Sequence, residues 1–109
     1  MTQILGNLGQ LIPSINTLTT LFTMPDGYQG SVTSIYVCNQ TNTLASFDIL
    51  IAVDGASFNA NQYLYYQCLI DAMDSYIVTT AITMGSGDQL WVNTPNTPVS
   101  FSAFGVISQ

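Results

Sequence analysis

Apolar and polar residues alternate along most of this chain, in short segments separated by clusters of Gly, Pro, Asn and Asp. The segments are rich in Val, Ile, Thr, Tyr and Phe and recur roughly every ten residues, a pattern typical of an all-β sandwich or barrel. Strands are predicted at residues 16–24, 31–39, 45–53, 63–70, 75–84, 89–93 and 99–108. We therefore predict one antiparallel β-sandwich, jelly-roll-like, with about seven or eight strands.

The alternation also predicts which side chains face the core, because successive residues of a strand point to opposite sides of the sheet. In residues 45–53 the predicted inner face consists of Phe47, Ile49, Ile51 and Val53. In residues 31–39 one face consists of Thr33, Ile35 and Val37. In the tyrosine-rich segment the predicted core face is Leu64, Tyr66, Cys68 and Ile70, and the opposite face is Tyr63, Tyr65, Gln67 and Leu69.

The first fifteen residues differ from the rest of the chain, because their apolar residues alternate with Gly, Asn and Gln. These apolar residues are Ile4, Leu5, Leu8, Leu11 and Ile12. The glycines and Pro13 argue against a stable helix. The segment is either a loose terminus or an apolar arm that orders against a neighbouring chain, and the cost of exposing five aliphatic side chains favours the arm. We divide the chain into an arm, residues 1–15, and a sandwich, residues 16–109.

The charged residues limit the possible functions more than any other feature. The chain has no Lys, Arg, His or Glu and six Asp, which gives a net charge of −6. Nucleic-acid binding depends on Lys and Arg to neutralise phosphates, so we expect no nucleic-acid partner. Acid/base catalysis by His, Schiff-base chemistry and His-based metal sites each lack a necessary residue. We expect no enzyme activity, cofactor, metal or small-molecule substrate.

Most of the carboxylates have a simpler explanation than catalysis. Asp26, Asp54, Asp71, Asp74 and Asp88 all fall between predicted strands. A short side chain that accepts hydrogen bonds stabilises a turn, so these residues are interpreted as turn residues.

The compartment can be inferred from what the sequence lacks. No apolar run approaches the roughly 20 residues that span a bilayer, and the opening residues lack the basic and apolar regions of a signal peptide. We expect no membrane association, and synthesis in the cytoplasm. Cys38 and Cys68 are too isolated for a zinc pattern and are predicted to be free thiols.

Three aromatic residues are the candidates for a binding surface. The predicted outer face of residues 63–70 includes Tyr63 and Tyr65, and Trp91 lies opposite Leu90 and Val92 in its strand. Side chains with an apolar ring and a polar tip are common in protein interfaces, and the same rings could stack on sugars. The sequence leaves both alternatives open, together with a third, that these are ordinary surface aromatic residues.

Four segments resemble a family of small proteins encoded in tailed-bacteriophage genomes: TLTTLFTMPDGYQGSVTSIYVCNQT, YLYYQCLI, GDQLWVN and VSFSAFGV. The family pattern has a Thr-Leu-Tyr/Phe-Thr-x-Pro-x-Gly opening, a Ser-Ile-x-Val-Cys-Asn strand, a Tyr-Leu-Tyr-Tyr strand and a Ser-Phe-x-x-Phe-Gly ending. The resemblance extends over roughly residues 16–106. Such proteins resemble capsid cement, or decoration, proteins, which are β-sandwich subunits that are often trimeric.

The resemblance implies a structural virion protein that binds the exterior of a phage head and bridges subunits of the major capsid protein. A homotrimer on the outer surface of the virion is then expected. Candidate contacts are the segment from Ile4 to Ile12 for the shell, and Tyr63, Tyr65 and Trp91 for sister subunits. The alternative is a tail or head-fibre module in which the same three aromatic residues bind a host-surface glycan.

Overall fold

Two β-sheets contain all the strands of the computed structural model, which describes residues 3–79 and 81–109. The strands are β1 (Gln3–Leu11), β2 (Thr19–Thr23), β3 (Gln29–Cys38), β4 (Ala45–Ala52), β5 (Tyr63–Ile70), β6 (Ser75–Val78), β7 (Ile82–Met84), β8 (Gln89–Asn93) and β9 (Ser100–Ser108). Two short 3-10 helices, Val53–Gly55 and Ala60–Gln62, lie between β4 and β5. No helix in the described part of the chain has the length and apolar character needed to cross a membrane.

The strand order is that of a jelly roll. Each early strand pairs antiparallel with a late one, as in a long hairpin: β1 with β9, β2 with β8, β3 with β6 and β7, and β4 with β5. The hairpin then wraps, so that β9 also pairs with β3 and β8 with β4. The result is a five-stranded sheet, β1-β9-β3-β6 with β7 beside β3, and a four-stranded sheet, β2-β8-β4-β5. The predicted antiparallel β-sandwich is confirmed.

The core lies between the two sheets and is filled by aliphatic and aromatic side chains. Phe47 of β4 meets Phe101 of β9 edge to face, with ring centroids 6.0 Å apart. Ile35, Ile49 and Leu90 are fully buried around them. Burying one such side chain stabilises the fold by about 1.5 to 3 kcal/mol relative to leaving it exposed. Since the chain has no Lys, Arg or His, apolar burial and hydrogen bonds provide its stability.

The predicted inner faces are right where the strands are regular and wrong where they are not. Ile35, Val37, Phe47 and Ile49 are buried in the core, as predicted. Thr33 is exposed, because the pairing of β3 with β9 shifts register between Val32 and Ser34.

The prediction that Val53 faces the core is also wrong. Val53 is 62% exposed, because β4 ends at Ala52 and the chain enters a 3-10 helix. Leu50 and Ala52, on the opposite face of β4, are fully buried. A strand that is covered on both faces does not alternate between exposed and buried positions.

The turns use Gly and Asp as the sequence predicted. Gly27, with φ of 80°, completes the turn between β2 and β3, in which the Tyr28 N–H donates to the Pro25 carbonyl at 3.1 Å. Asp88 holds two loops together, because its carboxylate accepts from the Gly85 N–H at 2.9 Å and from the Asp54 N–H at 2.8 Å. These loops lie at the same end of the sandwich.

Asn39 holds together the opposite end. Its side chain is completely buried, and its amide nitrogen donates to the carbonyls of Thr43 at 2.8 Å and Asp71 at 3.1 Å. Its amide oxygen accepts from Thr41 N–H at 3.0 Å and from the Thr41 hydroxyl at 2.6 Å. The loop after β3 is thereby tied to the turn after β5. Cys38 and Cys68 are both free thiols.

Truncating the central core residues tests the inner face of β4. Phe47→Ala or Ile49→Ala should lower the free energy of unfolding by about 2 to 5 kcal/mol, because each leaves a cavity in a fully packed region. Val53→Ala, at an exposed site, is the control and should change it by less than about 0.5 kcal/mol. Urea denaturation measures both, and a loss below about 1 kcal/mol for both core variants would contradict this packing.

Asn39→Ala should cost about 2 to 4 kcal/mol, because it leaves buried backbone carbonyls without donors. Asn42→Ala is a matched control, since Asn42 lies in the same loop and is exposed. In thermal unfolding, the melting temperature of Asn39→Ala should be clearly lower than that of Asn42→Ala. Equal melting temperatures would mean that the Asn39 hydrogen bonds contribute nothing net.

Candidate functional site

The outer surface of the four-stranded sheet carries two of the predicted interface residues on a single row. Trp91 of β8 and Tyr63 of β5 are the register partners of Leu50 on its two sides. Two strand spacings separate their backbones, or roughly 10 Å. Leu50 lies fully buried between the half-buried Trp91 and Tyr63. We call the surface formed by Phe58, Tyr63, Tyr66 and Trp91 the aromatic face.

The tyrosines of the aromatic face pack on one another. The rings of Tyr63 and Tyr66 meet edge to face with centroids 4.6 Å apart, and Phe58 meets Tyr63 at 6.0 Å. Tyr66 is 61% exposed. The indole N–H of Trp91 donates to the side-chain oxygen of Gln89 at 2.8 Å, which fixes the ring against its strand. The face therefore presents aromatic area that is already ordered.

Two register shifts in β5 decide which tyrosines reach this face. Cys68 pairs with Phe47 and Tyr65 with Ile49, so that three residues of β5 advance while two of β4 do. The second shift lies between Tyr65 and Tyr63, where two residues of β5 advance while β4 advances by one. A bulge of this kind turns the following side chains to the other side of the sheet.

The predicted faces of Tyr65 and Tyr66 are therefore wrong and are exchanged in the structure. Tyr65 packs against the core, with its ring centroid 6.5 Å from that of Phe47 and 6.4 Å from that of Tyr76. Tyr66 takes the outer position that the alternation assigned to Tyr65. Leu64, which was predicted in the core, lies at the register shift between Tyr63 and Tyr65 and is 44% exposed. Cys68 and Ile70 pack inward, as predicted.

A buried carboxylate stabilises the bulge between Tyr65 and Cys68. Asp48 is only 3% exposed, although the chain has no cationic side chain to pair with it. One of its oxygens accepts from the Gln67 N–H at 2.7 Å, and the other accepts from the Asn93 side-chain amide at 3.1 Å. Gln67 has a φ of 49°, a left-handed conformation that is costly for a residue other than Gly. The hydrogen bond to Asp48 offsets part of that cost.

Asp48 also places a negative charge beside the aromatic face. The pKa of the Tyr63 hydroxyl is raised above its ordinary value, mainly because burial disfavours the phenolate, and further because of the charges of Asp48 and Tyr66. Tyr63 therefore stays a neutral hydrogen-bond donor over a wider pH range than a solvent-exposed tyrosine. The face combines aromatic rings with a few fixed polar groups.

The apolar residues of the N-terminal segment fall into two groups in the structure, one packed against the core and one exposed. Residues 3–11 form β1, an edge strand paired with β9, so within this chain the segment is part of the sandwich and not a separate arm. Leu8 and Leu11 pack against the core. Ile4, Leu5 and Ile12 are exposed by 41%, 68% and 59%. These three do not lie on the aromatic face, which belongs to the other sheet.

Sequence reasoning missed Tyr66, Asp48 and Asn93 as members of this surface. Asp48 had a detectable signal, because it is the one carboxylate that falls inside a predicted strand. A charge in the middle of a strand indicates a specific hydrogen-bond partner. Tyr66 had no such signal, since its orientation depends on a bulge that no residue type marks.

In an alkaline titration, the Tyr63 hydroxyl should lose its proton at a pH above the ordinary pKa of tyrosine. Its raised pKa means that the native state keeps this proton where the unfolded chain begins to lose it. Its contribution to stability is therefore complete below about pH 10 and is lost as the pH rises through the native pKa. Phenolate absorbance of wild type minus Tyr63→Phe should give a midpoint above the ordinary value.

In the same titration, Asp48→Asn should lower that midpoint, because it removes the negative charge beside the phenol. Tyr28→Phe, in the turn between β2 and β3, is the control for loss of one tyrosine. A Tyr63 midpoint at the ordinary value would show that the ring is solvated.

Comparisons with known proteins complete the description of this surface. A scan against family models, a search of curated proteins and a search of solved structures found no match for this chain. The resemblance noted in the sequence and the geometry of the surface are thus the observations on which a functional proposal rests.

Proposed function

We propose that this protein is a structural virion protein, a cement or decoration protein that binds the exterior of a tailed-phage head. Its partner is the major capsid protein, and it stabilises the head by bridging adjacent capsid subunits. It acts as a homotrimer on the outer surface of the virion, after synthesis in the host cytoplasm. The resemblance of residues 16–106 to the phage family and the jelly-roll sandwich support this proposal.

The observation that carries the proposal is the aromatic face. It joins exposed or half-buried rings of Tyr63, Tyr66 and Trp91 to a rigid sheet, with the polar groups of Gln67 and Asn93 at its border. Aromatic residues are enriched at the centres of protein interfaces, where polar groups form the rim. Because the face is ordered by its own contacts, little conformational entropy is lost on binding.

The geometry changes which surface we assign to the capsid. The sequence pointed to the segment from Ile4 to Ile12, but residues 3–11 are a strand of the five-stranded sheet. The aromatic face offers both apolar area and hydrogen-bonding groups, as interfaces between different proteins usually do. We therefore assign the capsid contact to this face.

Linkage explains how such a protein would strengthen a shell. A ligand that binds only the assembled state stabilises that state by an amount that grows with its concentration and affinity. A sandwich that touches two capsid subunits at once adds this free energy to their contact. With a net charge of −6 and no cationic side chain, it would have no attraction for the packaged genome.

Glycan recognition is the second candidate, and the same face favours it. Aromatic rings stack on the apolar faces of sugars, while carboxylate and amide groups bind hydroxyls. Trp91 lies two residues before Asn93 in β8, so an indole ring and a side-chain amide lie on the same face of the sheet. In this case the protein would be a module on a tail or head fibre that binds a host-surface glycan.

Antibody labelling of purified particles, seen by electron microscopy, distinguishes the two candidates. Label over the whole head is expected for a decoration protein. Label confined to one pole would place the protein in the tail and overturn the proposal.

Substitutions then test the aromatic face. Tyr66→Ala and Trp91→Ala should each weaken binding to undecorated heads by about 10-fold or more, the usual loss for an aromatic residue at an interface centre. Leu44→Ala, at a 54% exposed site in the loop after β3, is the control and should bind normally. Glycan arrays probed with the wild-type protein should show no binding. Sugar binding lost in Trp91→Ala would favour the second candidate.

A further inference from the structure

The outer surface of the five-stranded sheet is free of charge. No Asp lies in β1, β3, β6, β7 or β9, and the chain has no other charged residue type. The four-stranded sheet, by comparison, carries Asp48. The other Asp residues lie in the loops at the two ends of the sandwich. We call the outer surface of the five-stranded sheet the neutral face.

The neutral face is also apolar for an exposed surface. Its outward positions include Tyr36 and Ile77, which pair across β3 and β6, and Leu5 and Val106, which pair across β1 and β9. Their exposed fractions are 46%, 48%, 68% and 36%. Contiguous apolar surface of this kind on a soluble protein marks an interaction site.

The face has a definite shape. Tyr36 and Phe104 meet edge to face with ring centroids 5.5 Å apart, and together with Ser34 and Ser102 they line an open groove of about 490 Å³. The groove lies between protruding side chains of neighbouring strands. Such relief allows another surface to interlock with it.

Some polar groups of the face already have partners. The Gln10 side-chain amide donates to the Ser102 hydroxyl at 3.0 Å, and the Thr33 hydroxyl donates to the Phe104 carbonyl at 3.1 Å. Covering groups that are already hydrogen-bonded avoids most of the penalty for losing water. The face can therefore be buried at low cost by a partner that brings no charge to it.

We propose that the neutral face binds a second copy of this chain. Every copy has a net charge of −6, so contact between two copies costs least where neither has a carboxylate. The strands of the neutral face contain none. Interfaces between identical subunits are also more apolar than those between different proteins.

The available area fits this occupant. Four strand positions at about 4.8 Å spacing and eight residues at about 3.3 Å give roughly 500 Å² of sheet, before side-chain relief is counted. This is of the same order as the ~800 Å² per partner of a standard interface. A face that meets its own equivalent gives only a pair, so the homotrimer requires the neutral face to meet a different surface of the next copy, such as its β1 edge, in a closed ring.

The assignment rests on the homotrimer of the proposed function and names the surface through which its copies meet; it is tested apart from capsid binding, because self-association is measured on the purified chain alone. Wild-type protein should sediment as a multimer. Its association should tighten as NaCl is added, because salt screens the repulsion between acidic copies and strengthens apolar contact. A contact made through charges would weaken instead.

Two substitutions place a carboxylate on the neutral face. Tyr36→Asp and Val106→Asp should each weaken self-association by about 100-fold or more, because each buries a carboxylate in the contact and the chain has no cationic side chain to pair with it. Thr23→Asp, at an exposed position on the other sheet, adds the same charge and should associate like wild type. Circular dichroism and thermal unfolding establish that each variant is folded.

The single tryptophan gives an independent readout. Trp91 belongs to the aromatic face, so its emission should not change as the chain associates through the neutral face. A monomeric wild type at every salt concentration would overturn the proposal, as would folded Asp variants that associate normally. Association accompanied by a Trp91 shift would assign the contact to the aromatic face. Failure to bind heads, with self-association intact, would count only against the proposed function.

Discussion

The absence of any cationic side chain is the constraint on which the rest of this structure depends. A carboxylate without a cationic partner must either face water or be met by neutral donors. Asp88 is met by two backbone N–H groups in the loops at one end of the sandwich, and Asp48 by a backbone N–H and an amide. Each carboxylate that enters the fold therefore fixes a loop or a bulge. The sheets themselves are held by apolar burial and by the hydrogen bonds of their ladders.

The strands and the core could be predicted from the sequence because alternation reports directly on a pleated strand with one buried side. Ile35, Phe47 and Ile49 followed from this rule. It failed for Val53, where the strand ends, and for Tyr65 and Tyr66, where a bulge inserts a residue. Bulges depend on the fit between neighbouring strands, which no single segment encodes. β1 was missed because the segment is rich in Gly, Asn and Gln and poor in the β-branched residues that mark most strands.

The two outer sheet surfaces differ in a way that suits two kinds of partner. The aromatic face combines rings with fixed polar groups and a buried charge, and we assign it to a different protein. The neutral face has no charge and some of its polar groups are already hydrogen-bonded, and we propose that it binds another copy of the chain. The core separates these surfaces, so both can be occupied at once. A subunit built this way can join its own assembly on one side and a shell on the other.

The bulges of β5 have a further consequence for how this sheet ends. β5 is the outermost strand of the four-stranded sheet, and a regular edge strand would offer its free backbone groups to any extended chain. Its ladder changes register twice within eight residues, so an incoming straight strand cannot match its hydrogen-bonding positions. The irregularity that turns Tyr66 outward thus also makes this edge of the sheet a poor template for pairing with another chain.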